Sequence, residues 1–238
     1  FDCINLLRLN NIFDSRLLNV LEAKSELMLS WLDKITFNNE DLPQVNDSSI
    51  NVYPTFKNLK DYAVKLNISP NNRDLKDSGY RMIKMKKYEC FIDVGKIGPD
   101  YMPGHSHSDT FSFIVYVKEK PFIVDTGIST YNSSAKRLNE RSTSSHNTVM
   151  LNNAEQSEVW SSFRVGRRVY PKILKDLRNE ISAMYKSFNG KGCHKRDFLL
   201  KEDHLIIHDF VDKDFRNTSF LHFHPEIKVL LSDNFLST

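Results

Sequence analysis

Two hydrophobic periods follow one another along the chain. Between residues 15 and 35, Leu17, Val20, Leu21, Leu27, Met28, Trp31, Leu32 and Ile35 recur at spacings of three and four, which predicts an amphipathic helix that Asp14-Ser15 could cap. Residues 3–12 predict a preceding helix and 58–66 a short later one, with the polar connection Asn38–Ser49 between them. From Ser78-Gly79 onward the pattern alternates instead. Ten short runs then read as strands, over 80–85, 89–94, 111–117, 121–125, 148–151, 168–174, 181–186, 197–200, 204–211 and 219–224. So many strands with almost no helix between them predict a mostly β fold, antiparallel sheets stacked as a sandwich. The change of period falls at Asn67-Ile68-Ser69-Pro70-Asn71-Asn72, a polar, proline-containing stretch suited to a linker, so that the domains expected are 1–70 and 71–238.

Composition narrows the class of function. The chain has 238 residues, 40% of them apolar, and can bury a sizeable core. Its 33 basic against 30 acidic residues leave +3, too small and too mixed in sign to point to nucleic acid. No run of 18 apolar residues predicts a membrane span, and no visible secretory signal opens the chain. Cys3, Cys90 and Cys193 are widely spaced and odd in number, so they form neither a disulfide framework nor a CxxC motif and read as small core residues. Both ends look cut: the chain opens on Phe1-Asp2 and stops just after a strand-like run, which reads as a piece of a longer protein.

Potential chemistry concentrates in one stretch. Gly104-His105-Ser106-His107-Ser108-Asp109 is followed by Asp125 in Ile123-Val124-Asp125-Thr126-Gly127, then by His146 in Ser145-His146-Asn147. On an extended segment His105 and His107 share a face, and Asp125 falls on a neighbouring strand across the Lys118-Glu119-Lys120 turn. Two imidazoles and a carboxylate with an open fourth position form a common zinc set. The same residues are also compatible with a surface polar pair and a turn aspartate. A cupin-like metalloenzyme is a further alternative, weakened because no Glu follows the HxH at the expected spacing. His204, His208, His222 and His224 read as strand histidines.

Pro103-Gly104-His105-Ser106-His107-Ser108-Asp109-Thr110-Phe111-Ser112-Phe113, then Ile123–Gly127, then Arg141-Ser142-Thr143-Ser144-Ser145-His146-Asn147-Thr148-Val149, resembles in order and spacing the signature of the heparinase II/III family of polysaccharide lyases. Gln156–Trp160 with Phe163–Arg168 extends the resemblance, toward a branch associated with surface-polysaccharide biosynthesis. The resemblance implies an α/α toroid whose last helices fall within 1–70, then the β-sandwich. It also implies zinc, mainly structural, on His107, Asp125 and His146, with His105 facing the cleft and Tyr131 as a looser catalytic candidate. The partners it implies are an anionic polysaccharide and the rest of the toroid, in a periplasmic or cell-envelope setting.

Such lyases cleave by β-elimination: a base removes the C5 proton beside the uronate carboxylate and an acid protonates the departing O4. The negative charge that develops must be offset by fixed donors or cations. Histidine suits proton transfer near neutral pH, and Arg137 and Arg141, in the polar loop before His146, are candidates to pair with a carboxylate or sulfate. The family's other catalytic residues lie on the toroid, so this piece alone is expected to be inactive. A non-catalytic glycan-binding or assembly protein of the same fold is the alternative.

Overall fold

A computed structural model describes residues 1–10, 15–49, 52–71, 76–190, 192–212 and 216–230. Three helices come first, α1 (Asp2–Leu9), α2 (Ser15–Ile35) and α3 (Phe56–Lys65), packed on a small core of Ile4, Leu29, Phe56, Ala63, Leu66 and Ile68. The expected α2 helix forms, but its packed side is turned from the expected stripe: Leu29 is buried with Leu18, Leu21 and Leu32 against the same core, while Leu17, Val20 and Met28 are exposed. Asp14 of its expected cap and the end of the predicted first helix lie outside the described residues.

Strands β1 (Tyr80–Lys84), β2 (Tyr88–Asp93), β3 (Phe113–Val117) and β4 (Lys120–Ile123) form one antiparallel sheet in sequential order. The β3–β4 connection is tight, with positive φ at Lys118 (51°) and Glu119 (61°), the backbone a two-residue hairpin turn demands. After it come α4 (Ala135–Glu140), a 3-10 turn at Thr143–Ser145, β5 (Val149–Leu151) and the small hairpin β6 (Val159–Trp160)–β7 (Arg164–Val165). A second antiparallel sheet has β8 (Lys172–Leu177), β9 (Glu180–Lys186), β10 (Cys193–Leu200) and β11 (Leu205–Val211) as neighbours in that order, and β12 (Asn217–Ser219) returns to pair with β5.

The two sheets face each other. Tyr88, Cys90 and Ile92 of β2 and Phe113 and Val115 of β3 share one core with Ile181, Ala183 and Tyr185 of β9 and Phe198 and Leu200 of β10, each set taken from alternate positions. The other face of the first sheet is not left to solvent. Phe91, Ile114 and Tyr116 pack against Ile35 and Phe37 at the end of α2, and Phe37 stacks on Tyr116 with 3.8 Å between centroids. All six residues of β2 are buried as a result. Where β1 and β2 run out, Gly79 (φ +80°) lies so close to Gly95 that a Cβ on it would sit 2.0 Å from the Gly95 Cα.

Several elements depart from the expectation: the run at 168–174 forms its strand later, at Lys172–Leu177, and the run at 219–224 is strand only at Ser219, the last residue of β12. The segment before His146, read as polar loop, contains α4, short enough for its periodicity to be invisible and started by Ser134 accepting from the Arg137 backbone N–H. The β6–β7 hairpin was likewise not foreseen, since two-residue strands leave no alternation to read.

Candidate active site

The chemistry-bearing side chains come from the irregular segment before β3 (His105, His107), the second residue after β4 (Asp125), α4 (Arg137) and the residue closing the 3-10 turn (His146). Three of them, His105, His107 and Arg137, meet on a residue not foreseen among them. Asp47, in the polar connection after α2, accepts from His105 Nδ1 at 2.7 Å and His107 Nε2 at 3.0 Å, and takes the Arg137 guanidinium end-on, from Nη1 and Nη2, at 2.5 and 2.8 Å. Neighbouring Asn46 accepts from the His107 backbone N–H at 3.1 Å, and its amide donates to the Tyr80 hydroxyl at 2.7 Å. Burial pushes the Asp47 carboxyl up, but the hydrogen bonds from His107, Arg137 and His105 outweigh it and hold the group at about 2. Asn46-Asp47-Ser48 reads locally as a turn; only its closeness in space to residues 58 to 90 positions away reveals the role.

His105 and His107 do not share one environment. The His107 side chain is fully buried, whereas that of His105 is 60% exposed, because the segment carrying them is irregular rather than a strand. Below His107 lies a sealed polar centre. His146 Nδ1 is 2.7 Å from Asp125 Oδ2, the other Asp125 oxygen accepts from the Gly127 N–H at 3.1 Å, and the His107 and His146 rings are 5.3 Å apart. Burial drives the His107 ring down to about 4 against the pull of Asp47. Burial also resists charging His146, but the adjacent Asp125 carboxylate outweighs it and holds the ring above its ordinary value. Asp93 and Asp109, also buried, interact with the same centre: burial raises both, with Asp109 reaching about 6 while His146 opposes the rise and Asp125 adds to it.

Whether these residues suit a metal can be judged from their unpaired atoms. His107 Nδ1 and His146 Nε2 are buried with no hydrogen-bond partner. Each ring has its opposite nitrogen engaged by a carboxylate, the arrangement that orients a metal-ligating imidazole. Two such nitrogens beside an excess of buried carboxyls fit a cation chemically. Asp125 is engaged by His146 and Gly127, and among the described residues no group of three His, Cys, Asp or Glu side chains is already gathered around one point.

The arginines are not where the sequence placed them. Arg137 and Arg141, expected in a polar loop to grip substrate anions, are both fully buried. Arg137 also donates to the Ser162 carbonyl, at 3.1 and 2.9 Å. Arg141 donates to the Ser106 carbonyl (3.2 and 2.9 Å) and the Ser161 carbonyl (3.1 Å), pinning the HxH segment to the β6–β7 hairpin. Their donors are engaged internally, and the desolvation of a guanidinium requires such partners.

What does face outward is an aromatic edge. The His105 ring lies 6.0 Å from Tyr131 and 5.4 Å from Phe163, and the Tyr131 and Phe163 rings are 5.4 Å apart. Tyr131 approaches the Tyr53 hydroxyl at 3.5 Å, and this contact, with burial adding to it, pushes its phenol up to about 12. Tyr131, the looser catalytic candidate, thus lies beside His105, and Phe163 and Tyr53 are neighbours that the sequence did not point to. An open cavity of about 670 Å³, lined by Asn46, Tyr80, Lys96, Met102 and His105 among others, adjoins this edge.

This sandwich, with its buried histidine centre under an exposed histidine edge, has the fold of solved heparinase structures. One, titled heparinase III, BT4657 gene product, matches with a TM-score of 0.57 at 18% identity over 77% of this chain and 31% of its own. Another, a heparan sulfate lyase HepC mutant from Pedobacter heparinus, matches with a TM-score of 0.56 at 17% identity over 76% and 31%. The chain thus spans about a third of the length of either. The sequence pattern described as heparinase II/III-like, C-terminal, matches residues 67–236, and the chain belongs to that family. No curated protein matches it. Membership removes the cupin alternative, and among the described residues no helix is long and apolar enough to cross a membrane.

Proposed function

We propose that this chain is the sandwich part of a polysaccharide lyase that cleaves a uronate-containing glycan by β-elimination. The observation that carries this reading is the exposed His105–Tyr131 edge, held from behind by Asp47. His105 Nε2 takes the C5 proton, the released electron pair forms the C4–C5 double bond, and the C4–O4 bond breaks as Tyr131 gives its phenolic proton to O4. A phenol raised to about 12 keeps that proton at neutral pH until the oxyanion appears. With Arg137 and Arg141 engaged internally, the groups offsetting the substrate carboxylate are Lys96, which lines the cavity beside His105, and residues of the rest of the helical toroid to which α1–α3 contribute. This chain alone is then inactive. Zinc on His107 and His146, with Asp125, would supply a fixed positive charge that locks the buried centre and steadies the segment carrying His105. The substrate is a glycan of modest charge density, in a periplasmic or cell-envelope setting.

The test is absorbance of the unsaturated product formed by the full-length parent on uronate glycans, beside its His105→Ala and Tyr131→Phe variants. Loss of turnover by at least about 100-fold in each is expected. Binding of glycan by the parent without any unsaturated product would instead favour a binding or assembly role. Elemental analysis gives the companion result: near-stoichiometric zinc in the wild type, absent in His107→Ala. A wild-type protein free of metal would overturn the zinc assignment.

A further inference from the structure

Asp47 does more than neutralise Arg137. Its two carboxylate oxygens are approached by four nitrogens: Oδ1 by Arg137 and His107 Nε2, Oδ2 by Arg137 and His105 Nδ1. An ionised carboxylate only accepts, and two oxygens offer about four lone-pair sites. Every one of the four nitrogens must therefore donate. We infer that Asp47 is a positioning residue that fixes opposite tautomers on the two neighbouring histidines, Nδ1–H on His105 and Nε2–H on His107.

The consequence differs for the two rings. His105 keeps its lone pair on Nε2, away from Asp47 and on a side chain 60% exposed, where a proton acceptor is useful. His107 keeps its lone pair on Nδ1, which is buried and otherwise without a partner. A free neutral imidazole in water favours Nε2–H, so without Asp47 the His105 atom available to the cleft would carry a proton instead of accepting one. One side chain from the helical part of the molecule thus sets which atom of each histidine of the sandwich is available. The tautomer assignment stands on hydrogen bonding alone; the use of Nε2 on a uronate rests on the lyase reading.

The experiment is a long-range ¹H–¹⁵N correlation spectrum of the ¹⁵N-histidine-labelled chain, without added metal and at a pH where both rings are neutral. The wild type is expected to show His105 as the Nδ1–H form and His107 as the Nε2–H form. Nε2–H or a tautomer mixture on wild-type His105 would overturn the inference, with no variant required. In Asp47→Ala/Arg137→Met, which removes both buried charges together, His105 should move to a mixture dominated by Nε2–H; a folded variant that kept pure Nδ1–H would also overturn it. Zinc affinity, read by competition with a chelator, should fall about 10–100-fold in the same variant, as for loss of an outer partner of a ligating histidine. Turnover by the parent reports on the lyase reading separately. The expected spectrum with no lyase activity would remove that reading and leave the tautomer assignment intact.

Discussion

Asp47 and Asp209 each grip one arginine through two of its nitrogens and hold histidine at the same time, one in the connection after α2 and the other on β11. Asp209 of β11 accepts from Arg196 at 2.6 and 2.7 Å and from His194 Nε2 at 2.7 Å, and Arg196 is its direct cross-strand partner. Arg196 also donates to the Phe111 and Asn147 carbonyls at 2.9 and 2.6 Å, tying the second sheet to the segment beside His146. His194 is sealed in, with Phe111 and Tyr185 each within 5.4 Å. At Asp47 a second histidine, His105, reaches the surface. The same three chemical groups therefore make a sheet-to-loop fastener in one place and a candidate active site in the other. Access decides the difference, because a histidine nitrogen that solvent and substrate cannot reach has no proton to exchange with either.

The widest gap between the two clusters should appear in metal content. His107→Ala is expected to lose all zinc and His194→Ala to retain it, read by elemental analysis of unchelated protein; loss from both would mean that the metal responds to general loosening of the fold. Next comes stability. Arg137→Ala strands Asp47, whose side chain is only 6% exposed, and should cost ~3–5 kcal/mol in urea denaturation. Arg196→Ala strands Asp209, which is 22% exposed, and should cost less, ~1–3 kcal/mol after allowing for solvent screening. The reverse order would break the comparison.

Acid should weaken both pairs in the same direction. Asp47 is held at about 2 against an ordinary 3.8, and Asp209 is also held below its ordinary value, burial opposing and the bonds from Arg196 and His194 prevailing. A carboxyl depressed by folding stabilises above its unfolded value and loses that stabilisation as pH falls through its folded value. The advantage of wild type over Asp47→Ala/Arg137→Met should therefore shrink by ~2 kcal/mol as pH falls from 3.8 to about 2, followed by denaturant titration at several pH values. An advantage constant across that window would show that the pair acts by packing alone. The smallest effect, ~1 kcal/mol, is expected for Ser134→Ala, which removes the cap of the helix carrying Arg137. A loss many times larger would mean that α4 depends on its cap more than on the Arg137–Asp47 pair.

Much of this was legible in order along the chain. The alternation from residue 80 onward marks strands on both sheets because alternate residues of β2 and β3 meet those of β9 and β10 in the core between them, and α2 is legible because 21 residues give a helical period several turns long. His105, His107, Asp125 and His146 stand out because their spacing is itself the signal. Asp47 carries no such mark: an Asn-Asp-Ser-Ser run has the same local character whether it ends in solvent or under two histidines. The burial of Arg137 and Arg141 is equally silent in sequence, where an arginine between polar neighbours reads as solvated.

By itself, then, the sequence determined which segments alternate, which coil and which residue types could do acid–base or metal chemistry, since those depend on neighbours within a few positions. The tertiary structure decided that one imidazole of the HxH pair is buried and the other open, that two arginines point inward, and that an aspartate from the helical side joins them. Those outcomes depend on which distant groups share a desolvated space, and a buried charge is stable there only where folding brings its partners within hydrogen-bonding reach.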